Sequence, residues 1–339
     1  MDLGDREVYV PAMTTARAHT NIALVKYWGK RDRALNLPAV GSLSLTLDRF
    51  FTTTTVEPGG AERDTLILDG APASDAETAR VSRFLDLVRA EAGASAPARV
   101  TSRNDVPTAA GLASSASGFA ALALAASRAY GLSLDDGALS ALARRGSGSA
   151  ARSLFGGFAK MSRGVRDDGK DAVAAPLEAP PSLDVRLVVV RCATGRKKAG
   201  STDAMEHTAE TSPYYAAWVE THARDLDDAE RAVVAGDLAR LGEVMEFSTL
   251  KMHASAMAAR PGIWYLAPVT IAVLDEVKRL RADGARAWFT MDAGPHVKVL
   301  CPTEEADGIA GALSRVDGVV GVEVAGPGPG AHLLPGSSE

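Results

Sequence analysis

The sequence predicts an α+β protein of two domains, in which mixed or antiparallel sheets pack against helices. Strand-like and helix-like segments are mixed without strict β–α–β alternation, which disfavours a doubly wound parallel sheet. A length of 339 residues suits about two domains, and a loop-like stretch at 163–183 with the pair Pro180-Pro181 marks a boundary. We therefore expect an N-terminal domain over 1–183, a C-terminal domain over 184–325 and a mobile tail over 326–339.

Local patterns predict the elements of the N-terminal half. Alternating apolar and hydroxylated residues over 41–56 have the two-residue period of a half-buried strand, and 65–68 is a second short strand. Ser74 and Glu77 form a capping box ahead of apolar residues at helical spacing. Residues 112–130 are rich in alanine and leucine, which predicts a buried helix.

The C-terminal half continues the mixture of elements. A buried strand is followed by three helical patterns, by two strands that flank an Asp-Ala-Gly-Pro turn, and by a last helix and strand. In chain order these predicted segments are 185–190, 213–235, 237–258, 267–282, 285–291, 296–301, 303–315 and 319–324.

Composition and charge exclude several classes of protein. With 46% hydrophobic residues the chain is too apolar for a disordered protein. A net charge of −5 offers no footprint for nucleic acid or an acidic membrane, so an anionic ligand needs positive charge gathered locally. No apolar stretch reaches the ~18 residues of a membrane span. The charged N-terminus predicts no signal peptide, and two isolated cysteines, Cys192 and Cys301, favour a reducing, cytoplasmic location.

The first segment with candidate chemistry runs from Pro107 to Gly118 and leads into the apolar helix. Its small residues allow close approach of the backbone, and N–H groups at a helix start beside serine hydroxyls suit a phosphate. No Gly-Lys-Ser/Thr follows, so the segment is not a Walker A loop. The alternative is an alanine-rich helix start that is only tightly packed.

The second segment holds Ser147, Ser149 and Arg152, at what we expect to be another helix start. A guanidinium can grip a carboxylate or phosphate through two parallel hydrogen bonds, which a lysine cannot do. The segment therefore indicates an anion site. The alternative is a surface turn with a solvated arginine.

The third segment has Lys26 and Lys30 on either side of the aromatic pair Tyr27-Trp28. Lysine is scarce in this chain, since most of its 37 cationic side chains are arginines. We interpret the pattern as two ammonium groups that converge on one anion. An amphipathic surface segment would give the same pattern.

The fourth segment places Asp292 at the end of a predicted strand, where Gly294 and Pro295 fix the turn. An aspartate at such a position commonly accepts hydrogen bonds from its own backbone as an Asx turn. The functional alternative is a carboxylate that points into a cleft and acts as a base.

Together these segments resemble those of the GHMP kinase superfamily and, within it, of the diphosphomevalonate decarboxylases. The most specific match is Lys26–Asp32 followed by Leu35–Pro38. Residues 107–118 are similar to the superfamily's phosphate loop, and 146–152 to the substrate loop of the decarboxylases. Residues 292–295 are similar to the segment with their catalytic aspartate. The resemblance covers nearly the whole chain.

The resemblance implies a two-domain GHMP kinase fold with the active site in a cleft between the domains. It implies an ATP-dependent decarboxylase that phosphorylates the 3-hydroxyl of (R)-5-diphosphomevalonate and then releases phosphate and CO₂ to give isopentenyl diphosphate. ATP and Mg²⁺ are the cofactors, and a homodimer is expected on this ground alone. The alternatives within the superfamily are a 3-kinase or a decarboxylase of the monophosphate, and more remotely an inactive ligand sensor.

The resemblance also implies roles for individual residues. Asp292 would orient or deprotonate the 3-hydroxyl, Lys26 would stabilise the developing charge, and Arg152 would hold the substrate carboxylate. The residues implied for binding the rest of the substrate are Tyr27, Lys30, Ser147, Ser149 and Ser201. Those implied for binding ATP are Pro107, Gly111, Ala113, Ser114 and Ser115, with Ser115 also at the metal ion.

Several positions depart from the pattern of the family. Ala39-Val40-Gly41 is less polar than the stretch that many relatives have there, and Thr202 stands where some bacterial relatives have arginine. Ala204 stands where glycine is usual, and His296 where many relatives have asparagine. We expect the first three departures to lie near the phosphate end of the substrate, where they bear on whether it is a diphosphate or a monophosphate.

Overall fold

The computed structural model of the chain describes residues 12–59, 62–105, 114–193 and 200–335, and it has the predicted α+β class. Strands and helices alternate irregularly, as the mixed patterns of the sequence indicate. The strands are β1 (Thr14–Val25), β2 (Lys30–Asp32), β3 (Leu37–Pro38), β4 (Ser42–Pro58), β5 (Thr65–Leu68), β6 (Ala71–Pro72), β7 (Ala98–Asp105), β8 (Phe158–Met161), β9 (Ala174–Leu177), β10 (Val185–Cys192), β11 (Trp288–Met291), β12 (Val297–Pro302), β13 (Val319–Ala325) and β14 (His332–Leu333). The helices are α1 (Asp75–Ala92), α2 (Ser114–Ala129), α3 (Asp136–Gly146), α4 (Ser201–Thr211), α5 (Tyr215–Ala235), α6 (Leu238–Met257), α7 (Pro268–Ala282) and α8 (Ala306–Leu313).

The first sheet is built on β1 and the long strand β4. Its order is β14-β1-β4-β7-β5-β6, and β8 with β9 extends β4 at its other end. The pairs are antiparallel except β5 with β7. Helix α2 lies against β1 and β4, and its buried alanines, among them Ala120 and Ala123, allow the helix to approach the sheet closely.

The second sheet has the order β11-β12-β10-β13, with antiparallel pairs throughout. On one face, Val188, Val190 and Phe289 pack against α7 and α8 in a separate hydrophobic cluster. On the other face, Leu187 and Val189 pack toward α5, α6 and the first sheet. The central strands β10 and β12 are therefore buried on both faces, which explains why their sequences are mostly apolar.

One hydrophobic cluster joins the two halves of the chain. Ile22 and Leu45 of the first sheet share it with Leu187 of the second sheet, and with Leu226 and Leu241 of the two helices that lie between them. Each of these side chains is at most 7% exposed. The two sheets are thus held together by a common core, and the division at residue 183 stays a prediction.

Most of the predicted elements are confirmed, including the capping box at Ser74, where both reciprocal bonds with Glu77 are present. Patterning missed β1, whose central Asn21 interrupts the apolar alternation, and it missed α3. The loop-like stretch 163–183 contains the short strand β9. Among the described residues no helix has the length and apolarity that would let it span a membrane.

The expectation of a helix start at Ser147 is wrong. Helix α3 begins at Asp136, after the N-cap Asp135, and ends at Gly146. A Cβ at Gly146 would lie 2.1 Å from the Phe119 ring, so α3 packs its last turn closely on α2. The dipole at a helix C-terminus does not favour anions, so positive charge near Ser147 has to come from side chains.

The first residues of the expected mobile tail make backbone hydrogen bonds to the first sheet, and the mobility of the tail stays a prediction. The N–H of Gly328 donates to the Thr46 carbonyl at 2.8 Å, and the N–H of Leu334 donates to Thr15 at 2.9 Å. A Cβ at Gly328 would lie 2.0 Å from the Leu47 oxygen, so glycine here allows the tail to lie directly on β4. The glycine at 328 therefore permits close backbone contact with the strand, which its place in a Pro/Gly-rich tail does not reveal.

Candidate active site

The candidate site is a cleft of about 490 Å³ between the two sheets. It is lined by side chains from the end of β1, the turns after α3, the start of α4, and the end of β11. Of the residues singled out in the sequence, it brings together Lys26, Tyr27, Lys30, Ser115, Ser147, Ser149, Arg152, Ser201 and Asp292. These positions are far apart in sequence, and folding brings them into one cleft. The cleft therefore has local positive charge although the net charge of the chain is negative.

Two ammonium groups hold Asp292 at the centre of the cleft. Lys26 Nζ donates to Asp292 Oδ1 at 2.9 Å, and Lys298 Nζ donates to Oδ2 at 3.0 Å. Lys26 Nζ also donates to the carbonyl of Ala23 at 2.7 Å, and its backbone N–H donates to Ser248 Oγ at 3.0 Å. Both lysine side chains are 2% exposed, whereas Asp292 is 33% exposed. The carboxylate is thus the accessible member of the cluster.

Burial and charge act in opposite directions on this cluster. Burial alone would raise the pKa of Asp292, but the ammonium groups of Lys26 and Lys298 outweigh it and hold that pKa well below its usual range. Burial lowers the pKa of Lys26 to about 8, although Asp292 opposes the shift. His253 lies buried near the same groups, and burial lowers its pKa to about 4. At neutral pH the cluster therefore contains an ionised Asp292, a cationic Lys26 and a neutral His253.

Arg152 is a buried guanidinium beside this cluster. One terminal nitrogen donates to Ser42 Oγ at 2.5 Å, and the other donates to Asn21 Oδ1 at 3.4 Å. Asn21 in turn donates to the Ser149 carbonyl at 2.9 Å, which ties β1 to the turns after α3. The buried Nε of Arg152 has no hydrogen-bond partner among the described residues. Burial lowers the pKa of Arg152 to about 10, so it remains cationic at neutral pH.

Two glycines allow the close approach of tyrosine rings, and one of these pairs, Gly148 with Tyr27, lies in the wall of the cleft. A Cβ at Gly148 would lie 2.4 Å from Tyr27 Oη, and one at Gly29 would lie 1.9 Å from Tyr215 Oη. Gly29 also has a φ of +100°, which other residues rarely adopt. Burial raises the pKa of Tyr27 to about 12, so its hydroxyl stays protonated and can donate a hydrogen bond.

The far end of the cleft carries cations and hydroxyls. Lys30 Nζ lies 3.5 Å from Thr202 Oγ1, in the first turn of α4, and Ser201 precedes it. Ser147 Oγ and Ser149 Oγ lie 3.2 Å apart on the opposite wall. Donors on both walls are the arrangement expected around a phosphate group.

A second cavity of about 180 Å³ adjoins the cleft. Ser115 and Arg80 line both cavities, so they mark the junction between them. The guanidinium of Arg80 lies over the Phe119 ring at 4.5 Å and donates to the Gly146 carbonyl at 2.9 Å. The remaining lining of the second cavity is Thr54, Leu66, Leu68, Glu77, Val81, Val100, Ser102, Asn104, Gly118 and Leu122.

Some sequence expectations fall elsewhere. Pro107, Gly111 and Ala113 lie outside the described residues, and Ser114 is described only as the first residue of α2. His296 is buried and accepts a hydrogen bond at Nδ1 from the N–H of Cys192 at 3.0 Å, a contact that ties β10 to the turn before β12.

The departure at Ala39-Val40-Gly41 also falls in the core. Val40 packs with Trp28 and Trp218, and the Gly41 carbonyl lies 2.9 Å from His222 Nε2. These three residues are buried, so the low polarity of the stretch suits packing.

Sequence reasoning missed Lys298, Asn21 and Arg80. Lys298 is a charged residue in an otherwise apolar strand, and that contrast is the signal that could have revealed it. Asn21 similarly interrupts the buried strand β1. Arg80 carries no local signal, because it lies among other arginines on the polar face of α1.

Family models match both halves of the chain. Residues 18–174 match a model described as the diphosphomevalonate decarboxylase-like N-terminal domain, and 187–319 match one described as the mevalonate 5-diphosphate decarboxylase C-terminal domain. The diphosphomevalonate decarboxylase of Gibberella zeae is 36% identical over 332 residues, which are 92% of this chain and 86% of the relative.

Solved structures are similar over the same extent. The mevalonate diphosphate decarboxylase of Staphylococcus aureus matches with a TM-score of 0.91 and 39% identity, covering 95% of this chain and 98% of that one. A structure of MDDEF in complex with MVAPP, AMPPCP and magnesium matches with a TM-score of 0.90 and 42% identity, covering 95% and 99%. These similarities confirm the expected GHMP kinase fold.

Proposed function

The chain belongs to the diphosphomevalonate decarboxylase family, and from this membership we propose which residues perform each part of its reaction. The enzyme uses ATP to convert (R)-5-diphosphomevalonate into isopentenyl diphosphate, with release of ADP, phosphate and CO₂. The observation that carries the assignment of residues is the convergence of Lys26, Arg152 and Asp292 in one cleft.

Asp292 receives the 3-hydroxyl of the substrate. Its carboxylate is ionised and is the exposed member of its cluster, so it can accept a hydrogen bond from that hydroxyl and orient the oxygen toward the γ-phosphate. The hydroxyl oxygen then forms a bond to phosphorus as the bond to ADP breaks, and the hydroxyl proton passes to the Asp292 carboxylate. The Lys26 ammonium, 2.9 Å from the same carboxylate, stabilises negative charge that develops around the transferred group.

Arg152 holds the carboxylate of the substrate. Its guanidinium lines the cleft and is fixed by Ser42 and Asn21, and these two contacts leave N–H donors of the terminal nitrogens for a carboxylate. When the C3–O bond breaks and phosphate leaves, the electrons of the bond to the carboxylate form the new double bond, and CO₂ departs. A guanidinium locked in place keeps these two bonds aligned while the cleft limits access of water.

The diphosphate of the substrate lies at the far end of the cleft. The donors there are Lys30, Arg80, Ser147, Ser149, Ser201, Thr202 and the Tyr27 hydroxyl. Thr202 supplies a hydroxyl where some relatives supply an arginine, so Lys30 and Arg80 provide the positive charge in this chain.

ATP occupies the second cavity and the junction. The apolar walls formed by Leu66, Leu68 and Leu122 suit a base, and the start of α2 with Ser115 lies where the phosphates must meet the cleft. The Ser115 hydroxyl is an oxygen ligand of the kind that Mg²⁺ prefers, and the ion, when bound, neutralises charge on the phosphates. The cofactors are ATP and Mg²⁺.

A homodimer in the cytoplasm completes the proposal. The dimer rests on the resemblance to the family, and the location rests on the buried free thiols of Cys192 and Cys301. Light scattering after size exclusion tests the oligomeric state.

The test of function is product analysis with two substrates in parallel. We expect diphosphomevalonate with ATP and Mg²⁺ to give ADP, phosphate and CO₂ in equal amounts. The monophosphate should react far more slowly, because it lacks one of the two groups that the far end of the cleft binds. ADP without CO₂ would instead indicate a 3-kinase, and a faster reaction of the monophosphate would reassign the substrate.

A further inference from the structure

Strand β12 buries one lysine among apolar neighbours. Lys298 is 1% exposed, and the adjacent Val297 and Val299 are completely buried. Removing an ammonium group from water is costly unless a partner compensates for the lost hydration. An apolar side chain at position 298 would avoid this cost of desolvation. The role of the lysine therefore has to be sought in the group with which it pairs.

That partner is Asp292, and Lys298 contacts it on the side away from the cleft. Lys298 Nζ donates to Oδ2, while Lys26 Nζ donates to Oδ1, so the two oxygens are held by lysines from different sheets. In the register of β11 and β12, Lys298 lies opposite Thr290, and Thr290 is two residues before Asp292. The ammonium thus reaches the carboxylate from the neighbouring strand, on the side away from the cleft.

We propose that Lys298 is a positioning residue for Asp292 in the reaction proposed above. A carboxylate bound at one oxygen can rotate about its last side-chain bond, whereas one bound at both oxygens has a fixed plane. Lys298 therefore directs the exposed edge of Asp292 toward the 3-hydroxyl and helps to keep the carboxylate ionised. It does not contact the substrate.

A double-mutant cycle tests this proposal, with Lys298→Met, Asp292→Asn and the two combined. We expect Lys298→Met to lower kcat by about tenfold or more, because the acceptor of the 3-hydroxyl loses its orientation. The KM for ATP should change little, since Lys298 lies behind Asp292. In the Asp292→Asn background, where single turnovers are followed with labelled ATP, Lys298→Met should cause no further loss.

The unfolding free energy provides a second readout that does not depend on activity. Asp292→Asn leaves Lys26 and Lys298 without a counter-charge, so adding Lys298→Met should raise the melting temperature of that variant. If the wild-type enzyme released no CO₂, the proposed function would be overturned. The melting temperatures would still show whether Asp292 and Lys298 are coupled. Additive changes in melting temperature would overturn the coupling.

The matched control is Lys251→Met. Lys251 Nζ donates to Asp225 at 2.7 Å, in a largely buried ion pair between α6 and α5, so this variant loses a comparable pair without changing Asp292. Should Lys298→Met fail to fold, Lys298→Gln takes its place and should lose less kcat, because its amide can still donate to Asp292 Oδ2. A wild-type kcat in the folded Lys298 variant, or an equal loss in Lys251→Met, would overturn the proposal.

Discussion

Lys26 donates a hydrogen bond to Asp292 across 266 residues of sequence, from the end of the first sheet to the end of the second. The bond exists only when β1 and β11 are brought side by side, because each residue directly follows its strand. Helix α6 helps to set this distance, since Ser248 accepts the backbone N–H of Lys26 at 3.0 Å. The geometry of the candidate centre therefore depends on how the two sheets pack.

Replacing Asp292 by asparagine should abolish turnover and leave ATP binding nearly intact. The amide can neither remain anionic nor balance the two ammonium groups, so we expect kcat to fall by about a hundredfold or more. ADP release and CO₂ release measured together check the loss, and calorimetry checks nucleotide binding. Turnover at the wild-type rate would remove Asp292 from the mechanism.

The control for this variant is Asp225→Asn. Asp225 is, like Asp292, a carboxylate paired with a lysine, here Lys251, but it is more deeply buried and lies outside the cleft. Removing one partner of a buried pair costs about 3–5 kcal/mol of stability. Asp225→Asn should therefore lose stability while retaining kcat, which separates a catalytic effect from a general effect of removing charge.

The value of kcat/KM should fall as the pH rises through about 8, where Lys26 loses its proton in the free enzyme. The value of kcat/KM falls with rising pH because the reaction requires the positive charge of Lys26. The fall occurs near pH 8 because burial lowers the pKa of this ammonium. Bound polyanions favour the protonated form, so the corresponding fall in kcat should occur at higher pH.

Rates measured over a pH series give kcat at saturating substrate and kcat/KM at limiting substrate. His253 does not account for the alkaline fall, because its pKa is lowered to about 4. A kcat/KM that stays constant well above pH 8 would contradict the role of Lys26.

Gly148→Ala should weaken substrate binding. The new Cβ would lie 2.4 Å from Tyr27 Oη, so the ring or the turn must shift within the wall of the cleft. We expect KM for diphosphomevalonate to rise by about tenfold, from a loss of roughly 1–2 kcal/mol in binding. Gly308→Ala is the control, because a Cβ in that exposed turn of α8 meets no atom within 4 Å and should leave KM unchanged.

Truncation of the chain after Gly326 should destabilise the protein. The lost segment includes the bonds of Gly328 to Thr46 and of Leu334 to Thr15, and we expect a loss of about 2–4 kcal/mol. Urea denaturation measures it. Truncation after Pro335 is the control, since it retains these bonds, and equal stability of the two truncated chains would contradict the prediction.

Local chemistry in the sequence predicted the cleft better than its periodicity predicted the elements around it. Lys26, Arg152 and Asp292 could be singled out because a lysine among aromatics, an arginine after serines and an aspartate before Gly-Pro are unusual combinations. Their meeting in one cleft could not be derived from spacing, because the packing of two sheets determines it.

The failures have physical reasons as well. Ser147 indicated a helix start but directly follows the end of α3 at Gly146, where close packing on Phe119 leaves no room for a Cβ. The glycines of the tail suggested mobility, yet they allow backbone contact with β4. Lys298 was missed because its charge in an apolar strand indicates a partner but does not identify it, and Asp292 follows the neighbouring strand β11.

The cluster that joins Ile22, Leu187 and Leu226 has a consequence for melting. Neither sheet can lose its packing without exposing apolar surface of the other, so the described parts of both halves should unfold in a single cooperative transition. A ligand that binds the cleft stabilises that whole unit by mass action, and substrate should shift one calorimetric peak instead of splitting it into two.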